Sequence, residues 1–334
     1  MTNKQTNKTD TTKLLKIVDN FKGKRILVIG DVMIDRFIRG SVSRISPEAP
    51  VPVIEVKEEK YMPGGAGNLA NNLSALGLNT SVVGIIGADQ TGTKTIEDFN
   101  RLGINAENII KDESRITTIK TRVIAEHQQV VRFDRETKKP ISEESKSKLF
   151  SLVRIAIKNC DAILMSDYLK GVLSTEFIYD IIKLAKENNI MLFAGPKPES
   201  FSLYTGVNCA SLNMKEARTC LHLKDESDVK EIGRNLLLSL KSDLLLITLG
   251  EKGMVVFEKK QGKIRSNIIP AVAKEVYDVS GAGDTALATF TAAIVAGADP
   301  ISATIIANHA AGIVVGKLGT ATCSRNELRA ALQI

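Results

Sequence analysis

Asp278-Val-Ser-Gly-Ala-Gly-Asp284-Thr285 runs straight into the small-residue helical stretch from Ala286 to Ala296. Gly281 and Gly283 let the backbone approach an anion closely. The N–H groups that open the following helix point at that anion, and the helix dipole favours it. Asp284 stands beside it, placed to take a proton from an attacking hydroxyl. An amide-lined phosphate cradle with an adjacent carboxylate is what phosphoryl transfer to an alcohol requires. The blander alternative is a glycine turn capping a helix, with Asp284 as a first-turn dipole partner.

Working outward, short apolar runs alternate with amphipathic stretches. Arg25–Gly30, Thr80–Ile86, Ala162–Met165, Ile190–Ala194 and Leu244–Thr248 read as strands. Helical patterns lie near 67–76, 93–102, 143–158, 175–187, 227–240 and 301–316. This alternation predicts an α/β fold, a central mostly parallel sheet with helices on both faces. Ligands in such sheets bind beyond the carboxyl ends of the strands. Two segments break the rhythm. Residues 36–62 lack a helical period, and Pro50 and Pro52 suit an edge or irregular strand. Residues 117–134 alternate with period two. Together they predict a small antiparallel flap, either a lid over a site or an ordinary hairpin insertion. No linker divides the chain, so residues 13–334 are expected to form one catalytic unit behind a disordered polar tail, residues 1–12.

Composition narrows the field. The 334 residues suit one large domain or two smaller ones, and 43% hydrophobic content is ample for a core. No apolar run nears the ~20 residues that span a bilayer, and the polar start is no secretory signal. Cys160, Cys209, Cys220 and Cys323 lie far apart, which indicates reduced thiols in a cytoplasmic protein. His309 sits in an apolar run and reads as a packed residue. The net charge of +7 is spread along the chain and aromatics are only 4%, so no stacking platform for nucleic acid is indicated. The first strand is followed by no Gly-x-Gly-x-x-Gly. Gly87-Ala-Asp-Gln-Thr-Gly92-Thr-Lys94 misses the P-loop spacing by one residue, so it reads as a turn into a helix near Thr93.

Three more patches carry chemistry. In Gly30-Asp31-Val-Met-Ile-Asp35 a carboxylate just past a strand end can hold sugar hydroxyls; Asp31 can equally cap a turn. Pro63-Gly64-Gly65-Ala66-Gly67-Asn68 opens a helix, and Asn68 can both donate to and accept from hydroxyls. Asn213-Met-Lys-Glu216 is either a helix cap or, through oxygen ligands and retained waters, a magnesium site.

The glycine–aspartate segment resembles the signature of the ribokinase (PfkB) family of sugar kinases, Asp-Thr-x-Gly-Ala-Gly-Asp, with Val279 and Ser280 as a mild departure. The sugar-side patches match that family's order and spacing. The likeness implies a ribokinase-like fold, ATP and Mg2+ as cofactors, and a lid that often forms a homodimer interface. It also implies roles. Asp284 would be the base, and the Gly281, Ala282 and Gly283 amides would stabilise the transferring phosphoryl group. Asn213 and Glu216 would organise magnesium through water. Thr248, Gly250 and Gly253 would bend over the nucleotide phosphates, with Asn308 near the adenine. Asp35, Gly64, Gly65 and Asn68 would hold the sugar. The likeness reaches further. Ser43-Arg44-Ile-Ser-Pro-Glu-Ala-Pro-Val-Pro52-Val53, Ser166-Asp167-Tyr168-Leu-Lys170-Gly171, Glu275-Val-Tyr-Asp278 and Gly312–Thr320 resemble the D-glycero-β-D-manno-heptose-7-phosphate kinases. Those enzymes phosphorylate an anomeric hydroxyl to give a 1,7-bisphosphate for ADP-heptose and lipopolysaccharide core. The substrate's own phosphate needs cations, and Arg44, Lys120, Arg122, Arg132, Lys170 and Lys197 are candidates. No His-x-x-His nucleotidyltransferase signature follows, so a separate protein is expected to supply adenylylation. Where those kinases carry Asp-Pro-Lys-Gly, this chain reads Gly195-Pro-Lys197-Pro198. Another phosphosugar, or a catalytically weakened sugar-phosphate-binding regulator, are the rival readings. Nucleic-acid and membrane partners are not expected.

Overall fold

In a computed structural model of the chain, residues 11–126, 128–223, 227–273 and 275–333 are described in full. The side chains of residues 2–10 are not, although the first helix, α1, is Thr2–Asp19. The tail expected at residues 1–12 therefore falls almost wholly outside the described residues. After α1 come β1 (Arg25–Gly30) and two long strands, β2 (Val32–Ile45) and β3 (Pro52–Gly65). Helix α2 (Ala66–Ala75) leads to β4 (Asn79–Gly87), α3 (Gln90–Arg101), β5 (Ile104–Asn105) and β6 (Ile109–Asp112). A hairpin of β7 (Thr118–Ala125) and β8 (Gln128–Arg135) precedes α4 (Glu143–Ala156), β9 (Ala162–Ser166), α5 (Thr175–Glu187), β10 (Met191–Gly195) and β11 (Cys209–Asn213). Next are α6 (Met214–Cys220), α7 (Val229–Leu240), β12 (Leu244–Thr248), β13 (Met254–Lys260) and β14 (Lys263–Ile269). The chain ends with α8 (Ala282–Val295), α9 (Pro300–Val314) and α10 (Arg325–Ala331).

The main sheet runs β14-β13-β12-β11-β10-β9-β1-β4-β5, with β6 also on β4. From β5 to β12 it is parallel; β13 and β14 are antiparallel at one edge. Alternate residues of each central strand enter two cores. Ile26 and Val28 of β1 pack with Leu69, Leu73, Phe290 and Ile306, whereas Leu27 and Ile29 pack with Leu149, Phe177, Ile181 and Leu236. That is why these strands read as unbroken apolar runs. The helix expected near Thr93 starts at Gln90, because the Asp89 carboxylate caps it by accepting from Gly92 N–H at 2.8 Å.

The expected flap is a second, four-stranded sheet, β3-β2-β7-β8. Its hairpins are antiparallel, but β2 and β7 pair in parallel, which corrects the all-antiparallel expectation. Both leave the same end of the main sheet: β2 follows β1, and Thr117 at the root of β7 accepts from Gly87 N–H at the end of β4. β2 and β3 also extend past the expected 36–62 and reach Gly65. Pro52 opens an edge strand, where its missing N–H is harmless. One face of this sheet carries Asp35, Phe37, Lys120, Arg122 and Asp134; the register puts Arg36, Tyr61, Val131 and Phe133 on the other. Among the described residues all four cysteines are free, and no helix is long and apolar enough to cross a membrane.

Candidate active site

The parallel register brings strand ends level, with Gly30, Ser166 and Gly195 side by side and Asn213 beside Thr248. Above this rim lies an open cleft of about 650 Å³. Its lining includes Tyr168, Lys197, Asn213, Glu216, Thr248, Gly281, Gly283 and Asp284. Tyr168 and Asp284, 116 positions apart in sequence, thus meet over the carboxyl ends of the strands, where an open α/β sheet places its ligands.

α8 starts at Gly281, whose φ of 79° favours glycine, and no side chain caps it. The first intrahelical bond is Thr285 N–H to the Gly281 carbonyl, 2.9 Å, so the Gly283 and Asp284 amides open the helix without an intrahelical acceptor. The Ala282 amide instead turns back to the Val279 carbonyl at 3.2 Å. Asp278 holds this loop in place, accepting from Ser280 N–H and from Gly319 N–H, each at 2.9 Å.

Asp284 is partly buried, and both its oxygens are engaged. Asn68 Nδ2 donates to Oδ2 at 2.8 Å. The Tyr168 hydroxyl donates to Oδ1 at 3.0 Å and reaches Oδ2 at 3.2 Å. Asn68 cannot turn freely, because Asn72 Nδ2 donates to its Oδ1 at 3.1 Å and to its carbonyl at 2.9 Å. Asn72 in turn accepts from Thr285 Oγ1 at 2.8 Å. This buried ladder couples α2 to α8 and fixes which end of the Asn68 amide faces the carboxylate. Burial pushes the Asp284 carboxyl up to about 6, although the Asn68 and Tyr168 bonds and the Lys197 charge pull it down; the Asp35 charge adds to the rise.

Asp35 is 5% exposed and pairs with Arg122. Burial raises its carboxyl above the usual range against the pull of that guanidinium. A Cβ on Gly64 would lie 2.6 Å from Asp35 Oδ2, and one on Gly65 would lie 2.4 Å from the Asp31 carbonyl. Both glycines are therefore close-approach positions. Asp31 itself, 1% exposed, accepts from the N–H groups of Tyr168, Lys170 and Val172 at 2.8, 3.1 and 3.4 Å. Of the two roles open for Asp31, the structure selects the cap.

Asn213 and Glu216 form a complete capping box on α6. Glu216 Oε2 accepts from Asn213 N–H at 3.0 Å, and its other oxygen meets Lys197 Nζ at 2.6 Å. Among the described residues no cluster of three His, Cys, Asp or Glu side chains forms a closed metal cage. One carboxylate and one amide oxygen at a cleft wall fit a cation that keeps its waters and shares phosphate oxygens. Lys197 also stands 4.8 Å above the Tyr168 ring.

Gly250, Gly253, Asn308, Arg44, Arg132, Lys120 and Lys170, all expected at the site, are absent from the lining of this cleft. Gly250 and Gly253 shape the turn between β12 and β13. Asn308 is 4% exposed and donates to the Pro270 carbonyl at 2.6 Å, so it braces the loop after β14. Arg44 is exposed near the far end of β2, and Arg132 pairs with Asp134 on β8. Lys120 and Lys170 are tied to Asp134 and Glu136 at 3.1 and 2.8 Å. Residue-by-residue reading overlooked the parts of Tyr168, Asn72, Thr285 and Asp278. An asparagine one helical turn beyond Asn68 was the one visible sign of the ladder.

Residues 24–327 match the pfkB family carbohydrate kinase. The chain is 42% identical over 318 residues, 95% of its length, to the bifunctional protein HldE of Desulfatibacillum aliphaticivorans. It is 41% identical over 320 residues, 94% of its length, to the bifunctional protein HldE of Sulfurimonas denitrificans. It spans 64% and 65% of the length of those two proteins. The fold is that of Arabidopsis thaliana ribokinase complexed with ribose and ATP, with a TM-score of 0.74 at 20% identity, over 93% of this chain and 99% of that one. Escherichia coli phosphofructokinase-2 in complex with potassium gives 0.77 at 16% identity, over 93% and 98%. With its signature loop at the head of α8 and its cleft over the strand ends, the chain belongs to the pfkB family of carbohydrate kinases, phosphotransferases that act on sugar hydroxyls.

Proposed function

We propose that the chain transfers the γ-phosphoryl group of ATP to the anomeric hydroxyl of D-glycero-β-D-manno-heptose 7-phosphate, giving the 1,7-bisphosphate. The observation that carries this reading is Asp284, held by two donors at the mouth of an amide-opened helix and in the same cleft as Glu216 and Lys197. Its carboxylate accepts the hydroxyl proton as the new O–P bond forms and the bond to ADP breaks. The Gly281–Gly283 turn offers amides to the charge on the moving phosphoryl group; with Ala282 engaged, the amide of Gly283 bears most of that work. Magnesium, when bound through Asn213 and Glu216, supplies charge neutralisation. Asp35, Gly64, Gly65 and Asn68 hold the sugar, and closure of the β2–β3 and β7–β8 sheet excludes water. Of the candidate cations, Lys197 lines the cleft and Arg122 pairs with Asp35, while Lys120 and Lys170 pair with Asp134 and Glu136; these four are the cations we assign to the substrate's own phosphate. The choice of heptose rests on the long Arg44–Val53 run and on the identity to the two bifunctional proteins. As in other enzymes of small phosphorylated metabolites, the expected compartment is the cytoplasm.

A panel of sugar phosphates tests the assignment through ADP release. Heptose 7-phosphate is expected to exceed fructose and tagatose phosphates by at least about tenfold in kcat/KM, which corresponds to ~1.4 kcal/mol of transition-state discrimination. A higher value for another phosphosugar would reassign the substrate and leave the kinase intact. A second reading, a weakened enzyme that binds sugar phosphate, draws on Gly195. Without a carboxylate there, Lys197 pairs with Glu216. Background ADP release with every sugar would favour it.

The lid also bears on assembly. Val131 and Phe133 are 48% and 52% exposed on the face away from the cleft. We propose a homodimer through this sheet. Light scattering is expected to give twice the chain mass, and Phe133→Glu to halve it; a wild-type monomer at micromolar concentration would end the proposal.

A further inference from the structure

Ser166-Asp167-Tyr168-Leu-Lys170-Gly171 has so far entered only through the Tyr168 hydroxyl and the Lys170 cation, yet its backbone is firmly anchored beside the cleft. Its backbone is pinned from two sides. Asp31 accepts from Tyr168 and Lys170 N–H groups at 2.8 and 3.1 Å. Asp167 accepts from Leu169 N–H at 3.0 Å while Ser200 Oγ and Tyr204 Oη hold its other oxygen at 2.6 and 2.8 Å. The result of that anchoring is one side chain. The Tyr168 ring lies under Lys197 Nζ, and its hydroxyl ends on the Asp284 carboxylate. A tyrosine needing only to satisfy its own buried hydroxyl has no call for a loop fixed by two aspartates.

We propose that Tyr168 is a positioning residue for phosphoryl transfer, holding Asp284 in one orientation and in its ionised form. The inference deepens the proposed function and rests on Asp284 being the base. Its logic is a balance of neighbours. From α2, Asn68 donates to Oδ2; from the loop after β10, the Lys197 charge stabilises the carboxylate; from β2, the Asp35 charge opposes it. Burial is the largest influence and favours the protonated acid, which cannot accept a proton. The Tyr168 donor counters it at Oδ1 and leaves Oδ2 anchored by Asn68, so the carboxylate cannot rotate as the substrate arrives. Tyr168 itself stays protonated, its phenol held well above the usual range by burial and by the Asp284 charge, so it donates throughout the working pH range.

The test is the pH profile of kcat/KM for wild type, Tyr168→Phe, and protein carrying 3-fluorotyrosine at position 168, beside Asp284→Asn. Phenylalanine keeps the ring beneath Lys197 and removes the donor. The acid limb of Tyr168→Phe is expected to move up by about one pH unit, a roughly fivefold loss at pH 6 that approaches about tenfold further down the limb. On the alkaline plateau the loss stays within about threefold, and KM for both substrates within about twofold, as expected when substrate contacts are intact. Fluorotyrosine, a stronger donor of the same shape, moves the limb the other way. Unmoved limbs in both proteins, with Asp284→Asn inactive, overturn the role of Tyr168 and leave the base in place. If Tyr168→Phe fails to fold, the fluorotyrosine shift decides alone. Asp284→Asn at wild-type rate would instead sink the base assignment beneath it.

Discussion

Asp284→Asn is expected to lower kcat by about 10³-fold, within the range that general-base catalysis contributes, while KM for sugar and ATP changes little. Asparagine has the shape of aspartate but no basic oxygen, so binding survives and proton removal does not. Two further results follow from the environment of the carboxylate. In the wild type, burial lifts the group to about 6, so kcat/KM should fall about tenfold per unit below pH 6 as the base is protonated. In Asp284→Asn the residual rate should lose that limb. Stability moves oppositely. The folded-state value lies above the unfolded reference of 3.8, so the group's contribution is fully present below about pH 4 and is lost as pH rises through about 6. The variant is therefore expected to melt higher than wild type at pH 8 and not at pH 4, read by calorimetry. Wild-type kcat in the variant, or a limb that persists in it, would remove Asp284 from the chemistry.

The strand and helix pattern was readable because a doubly covered parallel sheet needs uninterrupted apolar runs. Ile26–Ile29 and Leu244–Ile247 have no polar side to hide. The four-stranded sheet was half readable. Period two marked 117–134 and proline marked an edge at Pro52, but neither says which strand pairs with which, so the parallel β2–β7 contact was invisible. Within the site, motifs gave the residues that touch a ligand or its charge, since glycine and carboxylate spacing is itself a chemical statement. They did not give the supports. Asn72 and Thr285 look like ordinary helix residues until α2 and α8 are packed together. Asn308 and Asp31 show the reverse case. Each is a polar residue in the right region whose hydrogen-bonding capacity the backbone uses, Asn308 through the Pro270 carbonyl and Asp31 through three amides.

Asp31→Ala is expected to be the most damaging change outside the cleft itself. Three backbone donors in the 168–172 loop converge on one carboxylate that is 1% exposed. Removing it leaves those amides facing a cavity the size of the lost side chain, and each unsatisfied buried donor costs about 1–3 kcal/mol. Part of the sum is returned, because the carboxylate is itself poorly solvated. Burial raises it to about 6 despite the amides, and the nearby Asp167 charge adds to the rise. A net loss of about 3 kcal/mol follows from these opposing effects, a drop in Tm of roughly 4 °C for a chain of this size. Asp31→Asn should fare little better, since its Nδ2 would meet amide donors where an acceptor is needed. The consequence reaches the chemistry through Tyr168, whose backbone Asp31 holds. With the loop loosened, the hydroxyl no longer meets Asp284 in one geometry, and kcat should fall about tenfold even at temperatures where the variant is folded, as misplacement of a positioning group does. Melting curves and steady-state rates on the same preparation separate the two effects. A variant that melts like wild type would mean that Asp31 does not hold the loop, and one that melts low yet turns over at the full rate would cut the link from Asp31 through Tyr168 to the base.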